Sequence, residues 1–122
     1  MSTVFTGSSA VTPVFVQKGK DVTLNLMTAD IPENFISVSW NFNENLKLIT
    51  FLQTSKPRIS ARYTGRVEFS EENFSVTLKN LQEADSGVYA ARVRGDEKEE
   101  TVAEYDVKVQ GRFVYILWNF ND

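Results

Sequence analysis

Alternation of apolar and polar positions organises this chain. It is clearest from Gly87 to Arg94, where Tyr89, Ala91 and Val93 fall on one side of an extended backbone and Ala90, Arg92 and Arg94 on the other. Asp85 and Gly87 supply turn chemistry at its start. The same period of two recurs in Val22-Thr23-Leu24-Asn25-Leu26, with Val22, Leu24 and Leu26 inward, and in Ile36 to Phe42, with Ile36, Val38, Trp40 and Phe42 on one side. Gly65 to Phe69 and Phe74 to Leu78 read as two further strands, with Leu81 closing the core, and Thr101 to Val109 as the last, with Ala103, Tyr105, Val107 and Val109 inward. Pro13 opens a short edge-type strand over Val14 to Val16, a position proline tolerates. Leu46 to Leu52 is also a strand, but its apolar residues sit on both parities, so at least one of Leu48, Phe51 and Leu52 is expected to face outward. Gln53 to Thr64 is polar and is expected to hold loops and a short edge strand. A helical period is nowhere sustained, and a single helical turn is expected only within Leu81 to Asp85. Short strands separated by turn residues predict an all-β sandwich.

Composition narrows the chemistry. At 122 residues the chain is one domain by length, and 42% hydrophobic with 24% charged residues is ordinary globular composition. A net charge of −3 has the wrong sign for a general nucleic-acid binder. The chain has no cysteine and no histidine, which removes disulfides, thiolate metal sites and the commonest general base together. No apolar run reaches the ~20 residues of a membrane span, and Met1 to Thr12 lacks the basic and apolar regions of a signal peptide. Both a cytosolic protein and an ectodomain beginning at its mature start fit that observation. Three regions are expected: a loose leader over 1–12, a domain over 13–110, and an apolar tail over 111–122.

The order Asp85-x-Gly87-x-Tyr89-x-Ala91 resembles the tyrosine corner of the immunoglobulin fold, in which the tyrosine lies two residues before the second cysteine of the intersheet disulfide. Here that position is Ala91, the first cysteine's position is Leu26, and Trp40 stands where the fold places a tryptophan over the disulfide. The room between Trp40 and Arg66 favours the nine-stranded variable type. The resemblance also implies that Arg66 pairs with Asp85, as an arginine and an aspartate do in variable-type domains.

More narrowly, Val22-Thr23-Leu24-Asn25-Leu26, Ile31-Pro32-Glu33-Asn34, Val38-Ser39-Trp40-Asn41-Phe42, Gly65-Arg66-Val67 and Ser86 to Val93 resemble the amino-terminal variable-type domain of the signalling lymphocytic activation molecule (SLAM) receptors and related lymphocyte adhesion receptors. That group lacks the intersheet disulfide and carries apolar residues in its place. The likeness covers Val14 to Val109. It implies a cell-surface receptor that binds itself or a related immunoglobulin-family receptor with modest affinity, through the sheet of strands G, F, C and C′. Family members continue into a second domain and a membrane anchor, so this chain is expected to be either an excised domain or a secreted short form.

With Trp40, Tyr89, Ala91, Tyr105 and Val107 inward, period two places Ser39, Asn41, Ala90, Arg92, Arg94, Glu104, Asp106 and Lys108 on the outer face of that sheet. Lys47, Thr50 and Glu99 of the Gly95 to Glu100 loop are expected to extend it. The competing reading is a solvated face laced with cross-strand ion pairs. Arg92 and Arg94 lead the candidates, because arginine is enriched at interface hot spots. The expected partner-binding set is therefore Ser39, Asn41, Lys47, Thr50, Arg92, Arg94, Glu99, Glu104 and Asp106, and the expected structural set is Leu26, Trp40, Arg66, Asp85, Tyr89 and Ala91. Asn73-Phe74-Ser75 is an Asn-x-Ser glycosylation triplet in a turn away from that face. The carboxylates Asp96, Glu97, Glu99 and Glu100 lack the ordered ligand spacing of a calcium loop and read as a solvated turn.

The apolar stretch Gly111 to Phe120 is too short to span a bilayer, and three roles stay open for it: extending the last strand, adding a strand to a second molecule, or a remnant of processing. The expected function is non-enzymatic recognition between cell surfaces, with no cofactor, metal, nucleic acid or small-molecule substrate and with a weak homodimer as one form. The alternative is an intracellular, disulfide-free immunoglobulin module of a scaffold protein.

Overall fold

A computed structural model describes residues 10–111 of the chain. Among them are nine strands: β1 Thr12–Gln17, β2 Val22–Leu24, β3 Ser37–Phe42, β4 Leu46–Leu52, β5 Arg58–Ile59, β6 Val67–Ser70, β7 Ser75–Leu78, β8 Gly87–Arg94 and β9 Glu99–Gln110. Six of them form one sheet in the order β1-β9-β8-β3-β4-β5, and the other three form a second in the order β2-β7-β6. The β1–β9 pair is parallel and the remaining pairs are antiparallel. The all-β sandwich read from the alternation is thus the fold, and the expected helical turn before β8 is a short 3-10 turn over Glu83–Asp85, but it is not the sole one: Thr28–Asp30 and Ala61–Tyr63 also form 3-10 turns, too short to leave a helical period in the sequence. Most of the leader and tail expected from the sequence, residues 1–9 and 112–122, lie outside the described residues.

The core lies between the sheets where the alternation puts it. Leu24, Val38, Trp40, Val76, Leu78, Leu81, Tyr89, Ala91, Val93, Val107 and Val109 are all buried. No cysteine links the layers. Aromatic edge-to-face contacts cross between them instead: Phe51 of β4 meets Phe69 of β6 at a centroid distance of 5.8 Å and Phe74, just before β7, at 5.3 Å. Such pairs contribute about 0.5–1.5 kcal/mol each beyond their buried area. Trp40 adds a polar tie, its indole N–H donating to the Phe74 carbonyl at 2.8 Å. Phe74 reaches that position with a left-handed backbone, φ 58°.

Two bulges explain where the alternation misleads. Trp40 pairs with Ile49, but Asn41 pairs with Lys47, so Leu48 is an extra residue in β4. Leu48, Ile49 and Phe51 are consequently all buried, and of the three residues considered for the outer face only Leu52, opposite Ser37, lies on it, half-buried. In β9 the register slips between Ala91–Ala103 and Arg92–Thr101, leaving Val102 as the extra residue, packed against the core.

Three expectations are corrected at strand ends. Ile36 precedes β3 and is 40% exposed rather than inward, its N–H donating to the Arg94 carbonyl at 2.7 Å. Glu99 and Glu100 belong to β9 rather than to the preceding loop. Strand β2 stops at Leu24, so Leu26, expected at the centre of the core opposite Ala91, is only half-buried against its rim. The physical reason is a change of partner: the Asn25 carbonyl accepts the Tyr105 hydroxyl at 2.6 Å, a side chain of the other sheet in place of a neighbouring strand.

Candidate recognition face

The lower end of the sandwich is fixed by a hydrogen-bonded cluster. The Tyr89 hydroxyl donates to the Asp85 carbonyl at 2.6 Å, which is the tyrosine-corner contact. Arg66 reaches both oxygens of Asp85, from Nη1 at 3.3 Å and from Nη2 at 2.8 Å, and the Gln82 N–H donates to Asp85 Oδ2 at 2.8 Å. Burial pushes the Asp85 carboxyl up, but the Arg66 hydrogen bonds, the Gln82 N–H and the Arg66 charge outweigh it and hold the group below its ordinary value. Burial likewise raises the Tyr89 phenol, reinforced by the Asp85 charge. Trp40 and Ala91 are each 0% exposed. These residues therefore fix the position of β3 and β8, the two central strands of the larger sheet.

The register of those strands sets three rows on the outer face. The first runs Glu104, Ala90, Asn41, Lys47 across β9, β8, β3 and β4; the second runs Thr101, Arg92, Ser39, Thr50; the third runs Glu99, Arg94, Ser37, Leu52. Asp106 lies opposite Val88 in β8 and Pro13 in β1 on the next row down. All nine partner-binding candidates thus fall on one face, but they are not equally accessible. Ser39 and Asn41, expected as contacts, are only 6% and 4% exposed. Ser39 is a short side chain between Arg92 and Thr50, Asn41 lies between Ala90 and the longer Lys47, and the two are partners already, Asn41 Nδ2 donating to Ser39 Oγ at 3.1 Å. They form the floor of the face rather than its contact surface.

Above that floor the charges divide into paired and unpaired groups. Arg92 Nε lies 3.3 Å from Glu99 Oε2, and Lys108 Nζ lies 3.3 Å from Asp106 Oδ2. Of the cross-strand ion pairs expected of a solvated face, Arg92–Glu99 joins β8 to β9, whereas Lys108 and Asp106 pair along β9 itself. Lys47, Arg94 and Glu104 make no ion pair among the described residues. Lys47 and Arg94 are exposed, while Thr50, Arg92, Glu104 and Asp106 are half-buried. A depression of about 480 Å³ opens beside the small Ala90, with Val88, Val11, Asn41, Glu44 and Glu104 on its walls. Glu44 was not anticipated as part of the face. Its signal was the Asn43-Glu44-Asn45 turn, which the chain makes with positive φ at Asn43 (49°) and Glu44 (72°) and which carries Glu44 to the wall of that depression.

The opposite sheet presents a different surface. Its outer side carries Thr23, Thr77 and Glu68, with Thr23 and Thr77 joined by their hydroxyls at 2.8 Å. Asn73 is exposed in the β6–β7 turn of this sheet, and its Oδ1 accepts the Ser75 N–H at 3.1 Å. Among the described residues no three carboxylates are grouped to hold a metal ion, and no helix is long and apolar enough to cross a membrane.

Comparison with known proteins identifies this architecture. Protein ORF9 of fowl adenovirus A serotype 1 (strain CELO / Phelps) is 29% identical over 91 residues, which is 71% of this chain and 27% of that protein, so the chain spans about a quarter of its relative. Among solved structures, the first Ig-like domain of human CD48 antigen superposes with a TM-score of 0.72 at 21% identity, over 92% of each chain. Murine CEACAM1b does so with 0.67 at 17% identity, over 83% of this chain and 53% of the other. At those identities the likeness is one of fold. The immunoglobulin V-set domain pattern matches residues 10–110, nearly the whole of the described structure, and the chain belongs to that family.

Proposed function

We propose that this V-set domain is a non-enzymatic recognition module of the SLAM-receptor kind, displayed outside the cell, which binds a second V-set domain through the outer face of β9, β8, β3 and β4. The observation that carries the reading is the composition of that face. A low floor of Ala90, Asn41 and Ser39 is bordered by Lys47, Arg94 and Glu104, which have no ion-pair partner among the described residues. Mixed charge around a small-residue floor governs partner choice and encounter rate more than affinity, which suits modest, reversible contact between surfaces. The opposite sheet has the features of a surface left to solvent, including Asn73. In a secretory host Asn73 would carry a glycan, which would leave the recognition face uncovered. A mass loss on glycosidase treatment, absent in Asn73→Gln, is the expected result; an unmodified Asn73 in secreted material would contradict that placement.

The experiment for the face itself is Arg92→Glu. It removes the pair with Glu99 and reverses the charge at the centre of the second row. Binding, to itself or to a related V-set receptor, should weaken by about tenfold or more, while the thermal midpoint moves little because the site is at the surface. Unchanged binding would count against this face. The relationship to a protein of an avian adenovirus favours a second reading, in which the bound V-set domain belongs to a host cell that a virus exploits. Binding to a panel of V-set receptors but not to itself is the outcome that selects it.

A further inference from the structure

The first row of the recognition face has a charge at each end and none between. Glu104 on β9 lies opposite Ala90, Ala90 opposite Asn41, and Asn41 opposite Lys47 on β4. Four strands at a spacing of ~4.8 Å put the two ends about 14 Å apart, too far for a direct salt bridge. Of the other charged residues of β8 and β9 on this face, Arg92 is paired with Glu99 and Lys108 with Asp106, and the unpaired Arg94 lies two rows away opposite Glu99 and Ser37. Between the ends the surface is low, with Asn41 4% exposed and the depression of about 480 Å³ running beside Ala90. A lysine stem from another molecule has room to cross it.

An acid and a base at opposite ends of one row make the face complementary to itself under a particular symmetry. A two-fold axis parallel to the strands, between β8 and β3, exchanges β9 with β4. It sets Glu104 of each copy over Lys47 of the other, forming two equivalent pairs at an isologous contact. A two-fold axis running across the strands would set Glu104 over Glu104 and Lys47 over Lys47, a like-charge arrangement that costs affinity. We propose that the domain pairs with a second copy of itself about an axis parallel to the strands, with Glu104 and Lys47 as the residues that set the register. This rests on the recognition face proposed above and adds the partner and its orientation.

Charge reversal tests the pair in sedimentation equilibrium over a concentration series reaching the millimolar range. The wild-type chain should self-associate. Glu104→Lys and Lys47→Glu should each weaken self-association by about tenfold or more, since each leaves two like-charge contacts per dimer. An equimolar mixture of the two variants should associate again, because both cross-contacts then join a lysine to a glutamate, and so should the double variant alone. Ala90→Arg, which fills the low centre of the face, separates the choice of face from the choice of register. If it abolishes association while the charge reversals leave it unchanged, the face stands and the proposed register is overturned. If association survives all the variants, the face is overturned with it, and a wild-type chain that stays monomeric throughout overturns pairing with itself. Loss of association in Glu104→Lys with rescue by Arg92→Glu in place of Lys47→Glu would pair position 104 with position 92 and also overturn the register.

Discussion

Trp40 has two roles at the centre of the sandwich. It fills the space between the sheets at 0% exposure, stacks on Tyr105 at a centroid distance of 6.2 Å, and satisfies the Phe74 carbonyl with its indole N–H. Truncation to alanine removes the packing and leaves that carbonyl without its donor, a loss of about 3–5 kcal/mol. Against the ~5–15 kcal/mol total of a domain this size, Trp40→Ala should largely unfold the chain. A cooperative unfolding transition with a midpoint near that of the parent would contradict this. Asp85 gives a prediction in pH. Because its folded value lies below 3.8, the unfolded chain takes up the proton first on acidification. Its contribution to stability is therefore complete above about pH 5 and is lost as pH falls through the folded value. Asp85→Asn should lower stability at neutral pH and flatten the acid limb of the stability curve. An acid limb as steep as that of the parent would place the responsible carboxylate elsewhere. Both residues were legible in the sequence, Trp40 from its strand parity and Asp85 from the turn before Tyr89. The burial of Ser39 and Asn41 was not, because alternation assigns a side chain to a face but says nothing of how tall its neighbours are.

At the scale of elements, the hairpin between β3 and β4 shows how side chains complete what backbone pairing leaves open. Asn43 follows the last residue of β3; its N–H donates to the Val88 carbonyl at 2.7 Å and its Oδ1 accepts the Val88 N–H at 3.0 Å, so the side chain continues the β3–β8 ladder by one step. Gly87 is required beside it, since a Cβ there would lie 2.6 Å from the Phe42 ring and 2.7 Å from Asn43 Oδ1. Asn43→Ala should cost about 1 kcal/mol and should quicken amide exchange at Val88 more than at Ala91 in the same strand. Equal protection at both would mean that the ladder closes without the side chain. The strands themselves were readable because nearly every one obeys period two. The alternation could not reveal the two bulges, at Leu48 and Val102, each of which inserts one apolar residue and resets the parity of the rest of its strand. Leu46 to Leu52 looked two-sided for that reason. Leu26 was misplaced for a related one: its strand continues the apolar alternation, but the ladder ends at Leu24 because Tyr105 takes the Asn25 carbonyl.

For the whole molecule the two sheets present different outer surfaces. The smaller sheet presents hydroxyls, Glu68 and Asn73, while the larger carries the low-floored, charge-bordered face. Tyr89, Asp85 and Arg66 join the sandwich below that face, so its residues stand on strands rather than on loops and need little ordering when a partner arrives. The fold and the outward-facing set were legible together, because the same alternation that buries Tyr89 and Ala91 turns Ala90, Arg92 and Arg94 outward. Which charges on the face remain unneutralised was not legible, since pairing within it depends on the β9 register. The measurement that tests the central claim most directly is amide chemical-shift mapping by NMR as the protein is concentrated or titrated with a V-set partner. Shifts confined to Lys47, Thr50, Ala90, Arg92, Arg94 and Glu104, with Thr23, Glu68 and Thr77 unmoved, are the expected result. Shifts centred on Thr23, Glu68 and Thr77 would assign recognition to the smaller sheet and contradict the account.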